Sequence, residues 1–413
     1  MNPSEPLKLK PVLVLFFMAL GLRFLLLAGW YYTGQGEHLS SDSAYYAGIA
    51  KSVARGQGFQ HEGTAAPRRV PVYPWVLSLA IRAGIFPAGV QIAQAVLGAL
   101  TCVLLAGLTR IFFGARTAVI AGFFLAFDYL LAKQCVYILP ETLFIFLILA
   151  VFYVLTKTLS RLNAAGFALA GFLASLTVLT KEVLSLYFPA LIFILFLFAR
   201  EKRKVFFGAL IFMLAYAGGL TPWILRNTRA QGQLSFLTNT SGLTLYLGNN
   251  PSVKNRLYGG DWINGVDTDY PVNAPARVFY SFLKADRWYF EQAVDYIRSH
   301  PGIFFKNAAV KALRLWYPFY DKSPVLVKWV TGLPYAMFLI FSGLGLYLSR
   351  RRWREFLPFY FLIIYLTAIH AVTVPGIRYR YPAMPVLMLF AAFGLEQIWL
   401  HSQSKKVKIT DSL

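Results

Sequence analysis

Apolar runs long enough to cross a bilayer recur along this chain, and no other feature constrains its fold as tightly. A spanning helix needs about 20 mainly apolar residues to cover roughly 30 Å of hydrocarbon. About ten such runs are expected, at 11–31, 89–110, 116–134, 140–156, 164–180, 184–199, 205–221, 325–348, 356–373 and 382–400. They are continuously apolar, whereas a membrane β-barrel would alternate apolar with polar residues, so helices are the spanning form. Composition agrees: charged residues make up only 14% of the 413 positions and hydrophobic ones 57%, against about 25% charged in soluble domains. The expected fold class is an all-α polytopic membrane protein. The first run outlasts a signal-peptide h-region and has no small-residue cleavage site before Asp42, so a retained anchor is expected.

Orientation follows from the short basic loops. Lys8/Lys10, Arg110/Arg116, Lys157/Arg161, Arg200 to Lys204, Arg350 to Arg354 and Lys405 to Lys408 fall on one side if an even number of spans leaves both termini inside. The positive-inside rule makes that side cytoplasmic in an inner (plasma) membrane. Two long stretches, 32–88 and 222–324, then face outward. The chain divides on this basis into an N-terminal transmembrane half at 1–221, with its first outer loop at 32–88. An extracytoplasmic loop follows at 222–324, and C-terminal spans with a basic tail at 325–413. The net charge of +22 is scattered over loops with no nucleic-acid-binding module, so topology and lipid headgroups account for it. Cys102 and Cys135 form neither a metal motif nor an expected disulfide.

The outer stretches hold the chemistry-bearing side chains. Asp42 opens a stretch with Tyr45, Ile49 and Val53 at helical spacing, which Ser40 or Ser41 can cap and Gly56-Gln57-Gly58 ends. A short apolar piece at 75–86, interrupted by Arg82, is expected as an interfacial or re-entrant helix. Residues 286–316 have the periodicity of an amphipathic helix pair lying on the bilayer, with Trp262 and Gly259-Gly260 earlier in the same loop. Arg68, Arg69, Arg226, Arg229, Arg378 and Arg380 lie close to outer membrane boundaries. Arginine forks there suit a lipid phosphate, although any one of them also suits snorkelling to phospholipid. Asp42 and Glu141 each also suit the first turn of a helix, where a negative charge favours the dipole. Lys133 and Lys181 are available to pair with Glu141 or Asp128, and Lys181-Glu182 reads as a local ion pair. His38, His61 and His300 show no ligand spacing.

The order and outward placement of several short motifs resemble the polyprenyl-phosphate-sugar-dependent glycosyltransferases of the GT-C fold, the superfamily of protein O-mannosyltransferases and lipid A aminoarabinose transferases. The carriers are Asp42-x-x-Tyr45-Tyr46, Arg69-Val70-Pro71-Val72-Tyr73-Pro74-Trp75, Pro140-Glu141-Thr142-Leu143-Phe144, Thr221 to Asn227, Gly248-Asn249-Asn250-Pro251 and Arg378-Tyr379-Arg380-Tyr381-Pro382. The resemblance covers nearly the whole chain. It implies a GT-C-like bundle that moves a sugar from a polyprenyl-phosphate donor to an extracytoplasmic acceptor in the cell envelope. In that family the acid of the first outer loop is the candidate base, which carries to Asp42; a second adjacent acid is common, but Ser43 stands there. Glu141 takes the position of a second, distant acid. Arg69 matches a basic residue facing the donor phosphate, although the aminoarabinose transferases have Lys-Pro-Pro where this chain has Arg69-Val70-Pro71.

These residue types fit the reaction independently of the family. An acceptor hydroxyl must lose a proton while the anomeric carbon loses a phosphate. A carboxylate base contributes about 10²- to 10⁴-fold, and preorganised cations on the leaving phosphate usually contribute more. The expected site therefore has Asp42 as base with Glu141 as helper, and Arg68, Arg69, Arg226, Arg378 and Arg380 around the donor phosphate. Tyr45, Tyr46, Tyr73, Asn227, Asn249, Asn250 and Tyr379 would line the donor and acceptor pocket. A divalent cation, if one is used, would be held by Asp42 and Glu141. The competing readings are a secondary transporter or lipid flippase, and a non-catalytic assembly subunit of the same fold. A transporter usually shows repeated halves and mid-membrane ionisable residues, whereas this chain concentrates polar function at one surface.

Overall fold

The computed structural model describes residues 9–36, 38–61, 68–251, 253, 282–319 and 325–410, and among them every regular element is a helix. In chain order these are α1 (Leu9–Tyr32), α2 (Ser41–Ala54), α3 (Val72–Arg82), α4 (Ala88–Phe113), α5 (Ala115–Phe127), α6 (Tyr129–Ala132), α7 (Glu141–Arg161) and α8 (Ala164–Val178). They continue with α9 (Tyr187–Phe198), α10 (Lys202–Gln231), α11 (Ser241–Gly248), α12 (Phe282–Ser299), α13 (Pro301–Trp316), α14 (Val325–Ser349), α15 (Leu357–Val372) and α16 (Met384–Thr410). Short 3₁₀ turns at Lys133–Val136, Glu182–Leu184, Arg350–Arg352 and Ile377–Ala383 interrupt the series. The chain is a multi-pass membrane protein.

Each of the ten expected spans coincides with helical structure, but their lengths differ. Among the described residues six helices are long and apolar enough to cross a membrane: Leu9–Tyr32, Ala88–Phe113, Glu141–Arg161, Lys202–Gln231, Thr331–Arg352 and Ile377–Gln403. A seventh arises if Ala115–Phe127 and Tyr129–Val136, bent by 62°, form one broken span. Ala164–Thr180, Glu182–Phe198 and Leu357–Val372 are shorter. A 17-residue helix is about 25 Å long, less than the hydrocarbon thickness, and these helices stop at turns that carry polar side chains. The boundary drawn after residue 221 lies inside the continuous helix α10. Trp262 and Gly259-Gly260 lie outside the described residues.

The helices pack through one long aromatic and aliphatic core that includes Phe144, Phe152, Tyr187, Phe188, Phe212, Phe359 and Phe390, all fully buried. Where α14 meets α16 the backbones approach directly. A Cβ on Gly345 would strike the Phe390 carbonyl and one on Gly394 the Phe341 carbonyl, the small-residue contact that apolar helices use when water exclusion cannot drive them together. The basic loops gather at one end of the bundle. Arg352 donates to the Phe112 carbonyl, Arg116 stacks on Trp399, and Phe198 packs on Trp353.

The opposite end is built differently. Ser40 caps α2, its hydroxyl accepting from the Ser43 amide at 3.4 Å. At the far end of α2, Arg82 of α3 donates to the Val53 and Ala54 carbonyls at 3.0 and 3.2 Å, placing a cation where the helix dipole is negative. A small cluster of Tyr46, Ala50, Tyr73, Leu77, Val90, Ile138 and Leu139 holds α2 and α3 together. The expected short helix at 75–86 is α3, and the expected helix pair at 286–316 is α12 and α13, broken at His300-Pro301.

Candidate active site

Asp42 sits in the first turn of α2, and the fold brings two arginines to it from separate downstream segments of the chain, 27 and 336 residues away. Arg69 Nη2 meets Oδ1 at 3.1 Å and Arg378 Nη2 meets Oδ2 at 2.5 Å. Arg69 arrives on a strap that docks on the end of α8, with the Val72 amide donating to the Leu179 carbonyl at 2.9 Å. Arg378 arrives on the 3₁₀ turn Ile377–Ala383 that leads into α16. The side chains of Asp42, Arg69 and Arg378 retain 29%, 28% and 41% of their exposure, so the cluster is open to a ligand. Burial alone would raise the Asp42 carboxyl, but Arg378 and then Arg69 overcome it and hold the group below the ordinary carboxylate range.

Aromatic rings support the arginine. Arg69 lies over Tyr45 and Tyr46, with its guanidinium carbon 5.4 and 5.6 Å from the ring centroids. Tyr45 in turn stacks on His61 at 4.2 Å. Tyr73 is turned away: it is fully buried, packs edge-on against Tyr46, and donates to Gln94 Oε1 at 2.9 Å. Tyr379 stacks flat on His370 at 4.6 Å, between Arg378 and Lys181.

Glu141 opens α7 one layer deeper. Its carboxylate pairs with Lys181 Nζ at 3.0 Å with only 4% of its side chain exposed, while Oε2 has no hydrogen-bond partner. The sequence suggested a local Lys181-Glu182 pair, and the 3₁₀ turn at Glu182–Leu184 separates those two side chains. Lys181 turns to Glu141, and Glu182 turns to the Thr238 hydroxyl at 3.5 Å, within electrostatic reach of Arg69 and Tyr46. Glu182 is thus a third acid at this end, set aside in the sequence because adjacent opposite charges read as a pair. Lys133 lies over the rings of Trp30, Tyr129 and Tyr137.

The other expected residues have separate roles. Arg226 donates to the Phe59 carbonyl and to Asn227 Oδ1 and stacks on Trp223. Asn227 is fully buried and donates to the Phe236 and Leu237 carbonyls. Asn249 donates to the Leu245 and Val372 carbonyls and Asn250 to Tyr246. Arg380 is 2% exposed, lies 3.9 Å from the Tyr335 ring centroid and donates to the Leu315 and Tyr317 carbonyls at the end of α13. Arg68 accepts from Arg69 through its carbonyl at 3.1 Å. The fold therefore joins Asp42, Arg69, Arg378, Tyr45 and Tyr46 directly, places Glu141 with Lys181 behind them, and does not bring Arg380, Asn227 or Tyr73 to Asp42.

As arranged, the donor set does not fit a divalent ion. Asp42 faces two guanidiniums, Glu141 faces an ammonium, and among the described residues no group of three or more His, Cys, Asp and Glu side chains comes together.

Over 98% of its length the chain superposes on the oligosaccharyltransferase of Archaeoglobus fulgidus in its apo form, with a TM-score of 0.62 at 15% identity. The chain has a GT-C-like helical fold. A second structure of that archaeal protein, AglB in complex with an inhibitory peptide and a dolichol-phosphate, matches with a TM-score of 0.57 at 14% identity, again over 98% of this chain. The chain spans about half the length of these relatives, 52% of each. Residues 66–224 of the chain match the family described as dolichyl-phosphate-mannose-protein mannosyltransferase. That segment holds Arg69, Glu141, Lys181 and Glu182; Asp42, Arg226 and Arg378 lie outside it. No curated protein sequence matches the chain.

Proposed function

We propose that this GT-C protein is a glycosyltransferase that moves a sugar from a polyprenyl-phosphate donor to a hydroxyl on an extracytoplasmic acceptor, a glycolipid, polysaccharide or protein. One observation carries the reading: a partly open carboxylate held between two arginines that come from segments 336 and 27 residues away from it. The mannosyltransferase match over 66–224 and the lipid-phosphate ligand of the archaeal relative support a donor of that class. The basic loops at the far end of the bundle support an inner-membrane orientation with both termini cytoplasmic and the site outside.

The resting ion pairs have a chemical consequence. A carboxylate held below its usual range by two guanidiniums is a weak base. A donor phosphate offers the same guanidiniums paired, charge-assisted hydrogen bonds, and as Arg69 and Arg378 turn to it, Asp42 regains basicity beside the sugar. The acceptor hydroxyl then gives its proton to Asp42 as its oxygen bonds to the anomeric carbon. The bond from that carbon to the phosphate oxygen breaks, and its electron pair leaves with the phosphate, where the two arginines meet the charge. One displacement inverts the anomeric centre, and no step passes through a metal. Lys181 pairs with Glu141 behind the site, and Glu182 faces the Arg69 side of the pocket, where a carboxylate accepts from sugar hydroxyls.

The test is a panel of polyprenyl-phosphate sugars incubated with the purified protein and membrane extract. Sugar loss from one donor is expected, lowered by about 10²- to 10⁴-fold by Asp42→Asn in a variant that melts as a folded protein. Full activity in that variant overturns the role of Asp42; no turnover with any donor favours a transport or assembly role.

A further inference from the structure

Lys311 is a cation with no exposed surface, lying in the middle of α13. Its ammonium donates to four oxygens of neutral groups: the Gly248 carbonyl at 2.8 Å, the Thr373 carbonyl at 3.0 Å, and the Val372 carbonyl and Asn249 Oδ1 at 3.4 Å. These oxygens belong to the ends of two helices, α11 and α15, where unsatisfied carbonyls and the negative pole of the dipole coincide. The two ends are pressed together, since a Cβ on Gly248 would collide with the Thr373 carbonyl. Asn249 ties them further, its amide donating to the Val372 carbonyl at 2.8 Å. Burial draws Lys311 down to about 8, so the side chain is still an ammonium at pH 7.

The strap that leaves this junction leads directly to Arg378. Val372 and Thr373 are held by Lys311 and Asn249, His370 Nδ1 donates to the Val374 carbonyl at 3.0 Å, and the His370 ring stacks on Tyr379. Five residues after Thr373, Arg378 reaches Asp42. We infer that Lys311 is a positioning residue for Arg378: a tethered ammonium in an oxygen cage that locks α11, α13 and α15 together and fixes the strap 373–378 beneath the guanidinium. Its effect on transfer rests on the function proposed above; the cage and its hold on the strap do not. The cage has the chemistry of a small monovalent cation site, with carbonyl and amide oxygens and no carboxylate.

Full-length protein in lipid nanodiscs tests this with Lys311→Met, which fills the space without the charge, and Lys311→Ala, which empties it. In both, backbone hydrogen exchange in peptides covering 373–378 is expected to rise by at least about tenfold, while peptides from α4 and α7 keep their wild-type rates. Propylammonium, which replaces the missing stem and ammonium, restores slow exchange in Lys311→Ala but not in Lys311→Met. Tetramethylammonium at equal ionic strength, which has no N–H, restores neither. Unchanged strap exchange in Lys311→Met, or equal rescue by the two ions, overturns the inference. If Lys311→Met does not fold, Lys311→Ala purified with and without propylammonium decides, and identical recovery in the two preparations overturns it. An inactive wild type would refute the proposed transferase without changing any of these readouts.

Discussion

Replacing Arg378 by Gln removes the closer of the two cations at Asp42, 2.5 Å against 3.1 Å for Arg69, and the cost divides between stability and rate. Opposite charges about 4 Å apart attract by about 4 kcal/mol at an effective dielectric near 20. With 29% of Asp42 and 41% of Arg378 exposed, screening reduces the net loss of stability to about 1 kcal/mol. The rate effect is larger. Losing one preorganised donor to the leaving group costs about 10²- to 10³-fold in kcat. Asp42, relieved of one partner, becomes more basic, and each unit of pKa returns at most about tenfold. The phosphate effect wins, and a net fall of at least about tenfold is expected. The assay is sugar release from the donor identified in the panel, at saturating acceptor, with melting temperature as the control for folding. Arg378→Lys keeps the charge without the fork and should fall between the two. A wild-type rate in Arg378→Gln would refute the assignment of this guanidinium to the leaving phosphate.

Other substitutions separate the remaining roles. Asp42→Asn should lower transfer by about 10²- to 10⁴-fold. The folded carboxyl lies below its ordinary value, so its stabilising effect is complete above about pH 4 and lost as pH falls through the depressed folded value. The difference in melting temperature between wild type and Asp42→Asn should hold from pH 7 to 5 and narrow below 4. Glu141→Gln leaves Lys181, 20% exposed, without its counter-charge and should cost about 2 to 3 kcal/mol. A Glu141→Gln/Lys181→Met double variant should recover part of that in thermal unfolding, and additive losses would show that the pair is not coupled. Arg380→Met frees the Leu315 and Tyr317 carbonyls and should lower the melting temperature more than Arg378→Gln, leaving donor KM near wild type; the reverse ranking would place Arg380 at the phosphate.

The sequence by itself determined the membrane-spanning all-α class, because apolar runs of that length have no other stable form in lipid, and it placed Asp42 at the start of a capped helix, because Ser40 and Ser41 stand just before it; the structure uses Ser40. It also carried Arg69 and Arg378 as candidates. Tertiary structure decided which candidates meet. Arg378 and Arg380 read alike in the sequence, but in a 3₁₀ turn of about three residues per turn, positions two apart point in different directions: one reaches Asp42 and the other is buried against Tyr335. Lys181 passes over its neighbour Glu182 because the turn between α8 and α9 separates them and Glu141 lies where the ammonium emerges. The asparagines of the Gly248-Asn249-Asn250 motif, expected to line a pocket, bind carbonyls at helix ends. Periodicity and hydropathy act over a few turns of one helix. The pairing of a carboxylate with a guanidinium 336 residues away depends on where separate helices end, and only their packing sets that.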